Sequence, residues 1–544
     1  MANSPKSRDG HDHFIGSLDD IPLTNFGNEE YGTNKTPQYP SLLKFMPVFI
    51  GLCLQSFCTA LDNTILSTAI PRITEQFNSL QDISWYASAY LLTACIFTLP
   101  FGKTYTHYST KWTYLIALAL FEAGSLICAM TPSSNGLIFG RAIAGIGSGG
   151  LSPGALLVLV NSVPLHRRAL YFGIIGSTSG IATITGPMIG GLLTDRVSWR
   201  CCFYINIPLG VITAIFIALF FKDSIRPKDL DFESGKITKL KRMDPLGILC
   251  FIPAIISILL FLQWGGTTYE WSNVRIIVLL VIFGIFASAW CYIQVLRQEE
   301  ATVPPRLLRN RNVLGAVLHA IFLGGSFFVF GYYLPIWFQA IEEVSASESG
   351  ISTLPMVVSM IISSALGGLL VNFVGYYTPL MFLGSTLLAV GFGLCTTFQV
   401  DTQSSKWISY QVIIGLGAGV GFQQCVNALQ TVLPLHDIPI GMAIITFAQS
   451  LSGAVFISIA QNVFQNRLVV NVARYAPTVN TKALIEAGAA NLSGRFSEDL
   501  LPSVLHVYNL AVTQTFYVSA AAAACSFMGA GLVQWKSMKD TQKN

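Results

Sequence analysis

An all-α polytopic membrane protein with about fourteen transmembrane helices is the fold class this sequence predicts. Of 544 residues, 52% are hydrophobic and 11% charged, with a mean hydropathy of +0.57, a composition that does not suit a water-facing surface. The apolar residues fall in runs of about 20, the length a helix needs to cross a hydrocarbon core of roughly 30 Å. Alternation with the period of a strand is absent, which argues against a barrel.

Residues 1–44 are rich in Ser, Asn, Asp, Gly and Pro without apolar periodicity, and are read as a disordered cytoplasmic tail. The first apolar run is followed by others, so it is read as a span that directs insertion rather than a cleavable signal. Spans are predicted at 45–69, 83–101, 112–130, 137–161, 169–193 and 202–221, forming an N-terminal six-helix unit over 45–221. A charged cytoplasmic linker, 222–244, leads to two further spans at 245–264 and 274–295 (segment 245–295), then a cytoplasmic loop at 296–312. Six more follow at 313–338, 351–371, 377–397, 407–433, 441–465 and 507–535, a C-terminal unit over 313–535 with an outward loop at 466–506, before a cytoplasmic tail at 536–544.

Charge orients this scheme, because short cytoplasmic loops carry an excess of Lys and Arg. With the N-terminus inside, 22 of the 32 cations fall in inner segments and 9 in outer ones, leaving Arg141 within a span. Both termini are therefore predicted cytoplasmic. The outward loop holds Asn491-Leu492-Ser493, a glycosylation sequon that places Asn491 on the side where it could be used. A net charge of +4, spread over loops, points to no nucleic-acid partner. The 11 cysteines are scattered, many inside apolar runs, and suggest packing rather than a metal site; no cofactor is predicted.

One internal repeat is legible. GRAIAGIGSGGLSPGALLVLVNSVPLH at 140–166 aligns with YQVIIGLGAGVGFQQCVNALQTVLPLH at 410–436, pairing Gly145 with Gly415, Gly147 with Gly417 and Pro164-Leu165-His166 with Pro434-Leu435-His436 at a constant offset of 270. Halves repeated in one orientation are expected of a transporter built about a pseudo-two-fold axis along the membrane normal. In the fifth span, Gly173, Gly176, Gly180, Thr183, Pro187, Gly190 and Thr194 are spaced alternately by 3 and 4, so small residues line one helix face. Such a stripe lets another helix approach closely, and Pro187 is expected to bend the span.

With its Gly186, Pro187, Gly190 and Gly191, this segment resembles the antiporter motif gxxxGPxxGG of major facilitator superfamily exporters. LDNTILSTAIPRI at 61–73, WYASAYLLTACIFTLPFGKTY at 85–105, GRAIAGIGSGG at 140–150 and SWRCCFYINIPLG at 198–210 extend the resemblance to the fourteen-span drug:proton antiporters, most of all fungal toxin and multidrug efflux pumps. The resemblance implies a major facilitator fold, two six-helix bundles around a central cavity plus two extra central spans. It also implies export driven by inward proton movement. The loop after the second span departs from the family's G-x-x-x-D-R-x-G-R-R. Here it reads GKTYTHYSTKW, with Thr106 in place of the acid, so the charge latch attributed to that acid is not expected.

Ionisable residues inside spans are costly when unpaired. Arg141 matches the arginine the family places near its proton path and is expected to hold a neighbouring acid ionised; the alternative is a side chain reaching to the outer interface. Asp62, late in the first span, is the candidate for reversible protonation, its alternative role being pairing or capping near the outer surface. Glu122, in the middle of the third, is read as a second proton site or a structural acid. His319, in the ninth span, has a tunable pKa, with hydrogen bonding as its ordinary role. The second half supplies amides, at Gln423, Gln424, Asn427, Gln430 and Gln449, and aromatics from Phe327 to Phe338. Amides suit a cavity for bulky neutral molecules, and Tyr332, Gln339, Gln423 and Asn427 are its candidate lining.

No GxxxxGK[ST], HExxH or GxSxG is present, so ATP-driven transport and the common membrane hydrolases are disfavoured and no enzyme activity is predicted. The leading expectation is an exporter of small lipophilic compounds, such as a toxic secondary metabolite or drugs, in a plasma, vacuolar or vesicular membrane. Its partners are then a small-molecule substrate, protons and lipid. The alternatives are a fourteen-span siderophore-type importer and a non-transporting membrane sensor.

Overall fold

The computed structural model describes residues 40–77, 79, 82–223, 243–266, 269–480, 484, 492–497 and 499–537. Asn491, nearly all of the N-terminal tail and most of the 222–244 linker lie outside the described residues, so the expectations for them are not addressed by it.

Fourteen segments carry the architecture. They are α1 (Leu42–Phe77), α2 (Ile83–His107), α3 (Thr110–Met130), α4 (Ser134–Ser162), α5 (Leu165–Arg196), α6 (Cys201–Phe220, two pieces that meet at Ile205) and α7 (Pro245–Trp264). Then come α8 (Val274–Arg297), α9 (Arg311–Ile341), α10 (Leu354–Val374), α11 (Thr378–Cys395), α12 (Ser404–Val432), α13 (Ile438–Tyr475) and α14 (Leu501–Leu532). Among the described residues 13 are each long and apolar enough to cross a membrane, and α5 makes up to 14 if its two parts, Leu170–Thr183 and Met188–Thr194, count as one span. Those parts meet at 42° across the stretch in which the sequence has Pro187, a residue that cannot donate to the helical ladder.

Local chemistry starts and stops these helices where the chain must turn. Ser133 Oγ accepts from Gly136 N (3.2 Å) to cap α4, and Asp244 Oδ1 accepts from Gly247 N (3.0 Å) to cap α7 ahead of Pro245. Asn310 caps α9 through Asn312 N (3.0 Å), and α10 ends at Gly375, whose φ of +84° is open to glycine. Several helices outrun the predicted spans: α1 continues to Phe77 and α13 to Tyr475, while α14 already begins at Leu501. The expected outward loop at 466–506 is correspondingly shorter. Hydropathy marks the thickness of the hydrocarbon, not the point at which backbone hydrogen bonding ends.

Packing makes the duplication explicit. In the first half α1 packs on α5 and α6, α3 on α4 and α6, and α2 on α4. In the second half α9 packs on α13 and α14, α11 on α12 and α14, and α10 on α12, the same scheme with every element moved on by eight. The helices that carry the sequence repeat, α4 and α12, are both 29 residues long, and 404−134 equals 432−162 equals 270. Their glycines do the same work: a Cβ on Gly147 would collide with the α3 backbone at Ala117 and Phe121, and one on Gly417 with the α11 backbone at Gly384 and Leu388. The halves meet along two seams, α5 on α10 and α2 on α13, which are again one pair with the halves exchanged.

The pair α7 and α8 packs on itself, and α7 reaches both α2 and α13. Leu280, Val281, Ile285 and Val295 of α8 are exposed, a surface suited to lipid.

Candidate functional site

A sealed polar cluster lies inside the first half. Asp62 of α1 and Arg141 of α4 form an ion pair, Oδ2 accepting from Nη1, and each residue is 1% exposed. Asp62 Oδ1 accepts from Asn206 Nδ2 of α6 (3.2 Å), which also donates to Ser125 Oγ of α3 (3.2 Å). Arg141 Nε donates to the Tyr86 carbonyl of α2 (2.9 Å), and the guanidinium sits 4.3 Å from the centre of the Tyr90 ring. Side chains from α1, α2, α3, α4 and α6 thus converge on one pair of charges.

Burying two ions costs several kcal/mol each, which pairing and hydrogen bonds offset: the two charges pair with each other, Asp62 Oδ1 and Arg141 Nε are bonded, and Asn206 Oδ1 is buried without a hydrogen-bond partner among the described residues. Arg141 does not reach out to an interface, and α1 runs 15 residues past Asp62 to Phe77, so the acid is not at a helix end. The sequence reading overlooked Asn206, Ser125, Tyr86 and Tyr90. A signal for Asn206 was available: it is a lone amide in the apolar stretch that follows Tyr204.

Glu122 is not part of the ion pair. Its carboxylate oxygens are buried without a hydrogen-bond partner among the described residues, and they lie against Gly210 of α6, where any added Cβ would strike them. His319 Nδ1 contacts the Ser526 carbonyl (3.1 Å), and Gly529 packs on the His319 backbone, so the histidine joins α9 to α14.

The small residues of α5 serve two neighbours rather than one. A Cβ added to Gly173 would come within 2.9 Å of Ser364 O, and one on Gly180 within 3.1 Å of Val357 Cγ1, both of α10 in the other half, whereas one on Gly186 or Gly190 would strike Thr64, Ile65 and Thr68 of α1 in their own half. A Cβ on Gly176 or Gly191 would meet nothing within 4 Å. The bend in α5 separates the two groups, and for that reason a regular spacing of 3 and 4 does not produce one continuous contact.

Among the described residues, no hydrogen bond or ring contact joins the four residues proposed as cavity lining to one another. Tyr332 is 47% exposed, Gln339 is half-buried, and Gln423 is half-buried with Nε2 unpartnered. Asn427 is fully buried and donates to Gln424 Oε1 (3.0 Å) within its own helix. Most of the aromatic run packs inside the second half: Phe330 contacts Phe392 and Phe516, and Trp337 Nε1 donates to Asn509 Oδ1 (2.7 Å). A cavity of about 600 Å³ opens between α7 and α13, lined by Leu262, Trp271, Asn462, Asn466 and Arg467 among others. At the loop that lacks the family's acid, Thr106 Oγ1 donates to the Gly102 carbonyl (3.2 Å), and Ser109 bonds the carboxylate of Asp223.

Two pseudo-equivalent six-helix bundles with a buried ion pair define the protein as a transporter-type membrane protein. The Major Facilitator Superfamily profile matches residues 52–457, and the chain belongs to that superfamily. It is 52% identical to the MFS-type transporter ptmT of Penicillium ochrochloron over 92% of this chain and 87% of that one. It is 50% identical to the efflux pump roqT of Penicillium rubens over 90% of each chain, and 46% identical to the MFS-type efflux pump MFS1 of Trichophyton rubrum over 95% of each. Among solved structures, the human organic anion transporter MFSD10 (TM-score 0.58, 13% identity, 91% of this chain and 100% of that one) and the proton:xylose symporter XylE (TM-score 0.58, 15% identity, 92% and 99%) share the fold.

Proposed function

We propose that the protein is a proton-coupled antiporter that exports small lipophilic organic compounds, such as a toxic secondary metabolite or drugs, across a plasma or vacuolar membrane with both termini in the cytoplasm. The efflux-pump names of relatives that align along nearly the whole chain support the direction of transport. The observation that carries the coupling is the Asp62–Arg141 pair, a buried ion pair on which five helices of the first half converge.

In this reading, protonation of Asp62 removes the charge that Arg141 faces. Arg141 keeps its bond to the Tyr86 carbonyl and its place over Tyr90, while α1 is released from α4. Occupancy of the proton then biases one of two arrangements of the bundles, the differential interaction that any coupled transport requires. Glu122, close to α6 and free of hydrogen-bond partners among the described residues, is proposed as the second proton site. Gly176, Gly180, Gly186, Pro187, Gly190 and Gly191 are proposed as the flexible wall that α5 presents during rocking.

Purified protein in liposomes, with a pH gradient imposed and lipophilic dyes and fungal metabolites offered, tests the proposal. Gradient-dependent movement that a protonophore abolishes is expected. Movement at the same rate in the Asp62→Asn, Arg141→Ala double variant would remove the pair from the coupling mechanism.

A further inference from the structure

The inserted pair α7–α8 ends in a segment whose polar contacts reach both halves of the molecule. Asp244, which caps α7 with φ +52°, is fully buried, and its Oδ2 accepts from Gln294 Nε2 of α8 (2.9 Å) and from both Thr302 N and Thr302 Oγ1 (2.9 Å each). Gln294 Oε1 returns a bond by accepting from Val303 N (2.9 Å). These bonds fix the backbone over 301–303 to the base of the pair.

On one side of that segment stands Lys103 of α2, 2% exposed, whose Nζ donates to the carbonyls of Ala301 (2.7 Å) and Glu299 (3.3 Å). On the other side Arg306 forms a double fork. Nε and Nη2 bond the Glu299 carboxylate (2.9 and 3.0 Å), and Nη1 and Nη2 bond the carboxylate of Asp437 (2.9 and 3.1 Å), the residue that opens α13. Beneath these contacts lies one end of the α2–α13 seam, where Gly102 meets the Cβ of Ala443.

We propose that the inserted pair anchors a clamp, Lys103–(299–303)–Arg306–Asp437, that holds the α2–α13 seam shut at this end and must release before the halves part there. The topology predicted from charge makes this the cytoplasmic face. The clamp gives α7 and α8 a role that their lipid-facing surface does not. It also stands at the stretch GKTYTHYSTKW that lacks its acid: Lys103 belongs to that stretch, whereas 299–303, Arg306 and Asp437 come from outside it. Arg–carboxylate forks supply geometry as well as charge, so the clamp is specific to one arrangement of the halves.

The test follows opening at the seam and needs neither substrate nor proton gradient, so its failure is distinct from failure of the antiporter reading. Ala443→Cys places a thiol in the closed contact, and its alkylation by a maleimide in purified protein is followed on the peptide carrying residue 443, which separates it from the native cysteines. Arg306→Gln and Asp437→Asn in that background are each expected to raise the alkylation rate about tenfold, the effect of 1.4 kcal/mol on an equilibrium. The double variant should do no more than Arg306→Gln alone, because that variant already removes the contact Asp437→Asn removes. Arg306 is 46% exposed, so its replacement leaves the core intact, and Arg306→Lys, which keeps the charge and loses both forks, should fall between the parent and Arg306→Gln. Unchanged alkylation in both single variants, or effects that simply add in the double variant, would overturn the clamp.

Discussion

Neutralising Asp62 while Arg141 stays in place leaves a guanidinium that is 1% exposed without its counter-charge. Breaking a buried pair from one side costs roughly 3–5 kcal/mol, whereas replacing both partners is often far less damaging. Asp62→Asn is therefore expected to lower the thermal midpoint of the purified protein sharply, and Asp62→Asn with Arg141→Gln to recover part of that loss. Transport should fail in both. Recovery of transport together with stability in the double variant would make the pair architectural. Asn206→Ala, which removes one hydrogen bond from Asp62 and one from Ser125, should cost about 1–3 kcal/mol in the same melt, the desolvation of groups left unpaired. Asp62 and Arg141 were visible in the sequence because a charge in an apolar run is conspicuous. Their being partners was not, since a separation of 79 along the chain carries no information about which helix faces meet.

At the scale of single helices, α5 divides into two regions with different work, and substitution separates them. Gly190→Leu forces a side chain into Ile65 and Thr68 of α1 within one bundle, so a loss of roughly 1–3 kcal/mol from overpacking is expected, read as a lower thermal midpoint. Gly180→Leu meets Val357 and Met360 across the seam, so slower transport with a nearly unchanged midpoint is expected. Gly176→Ala, where a Cβ meets nothing within 4 Å, should leave the thermal midpoint within experimental error. If all three behave alike, the bend in α5 does not divide the helix functionally. The spacing of 3 and 4 was legible as a helical stripe, but the partner of each glycine depends on the bend and on where α1 and α10 lie.

For the molecule as a whole, the two seams, α5 on α10 and α2 on α13, follow from one symmetry operation. Rocking of the bundles requires each to open in turn, so locking either one should stop the cycle. Gly180→Cys with Val357→Cys, bridged by a short bifunctional thiol reagent, is expected to abolish transport when the two sites are joined and not when either cysteine is present alone. Transport that persists after complete cross-linking would show that this seam does not move.

Sequence by itself determined the number of spans, the halves and their repeat, because lipid imposes a length on each apolar run and a duplicated fold keeps its glycines wherever two backbones touch, as at Gly147 and Gly417. It also marked Asp62, Arg141 and Glu122 as costly residues that need an explanation. Only the tertiary structure decided that Asp62 and Arg141 bond to each other and to Asn206, that most of the aromatic run of α9 packs in a core, and that Lys103 and Asp437 converge on the base of the inserted pair. The physical reason is the same in each case. Hydrophobicity is a property of a segment and can be read along the chain, whereas a hydrogen bond or ion pair belongs to two faces whose meeting is set by the packing of every helix between them.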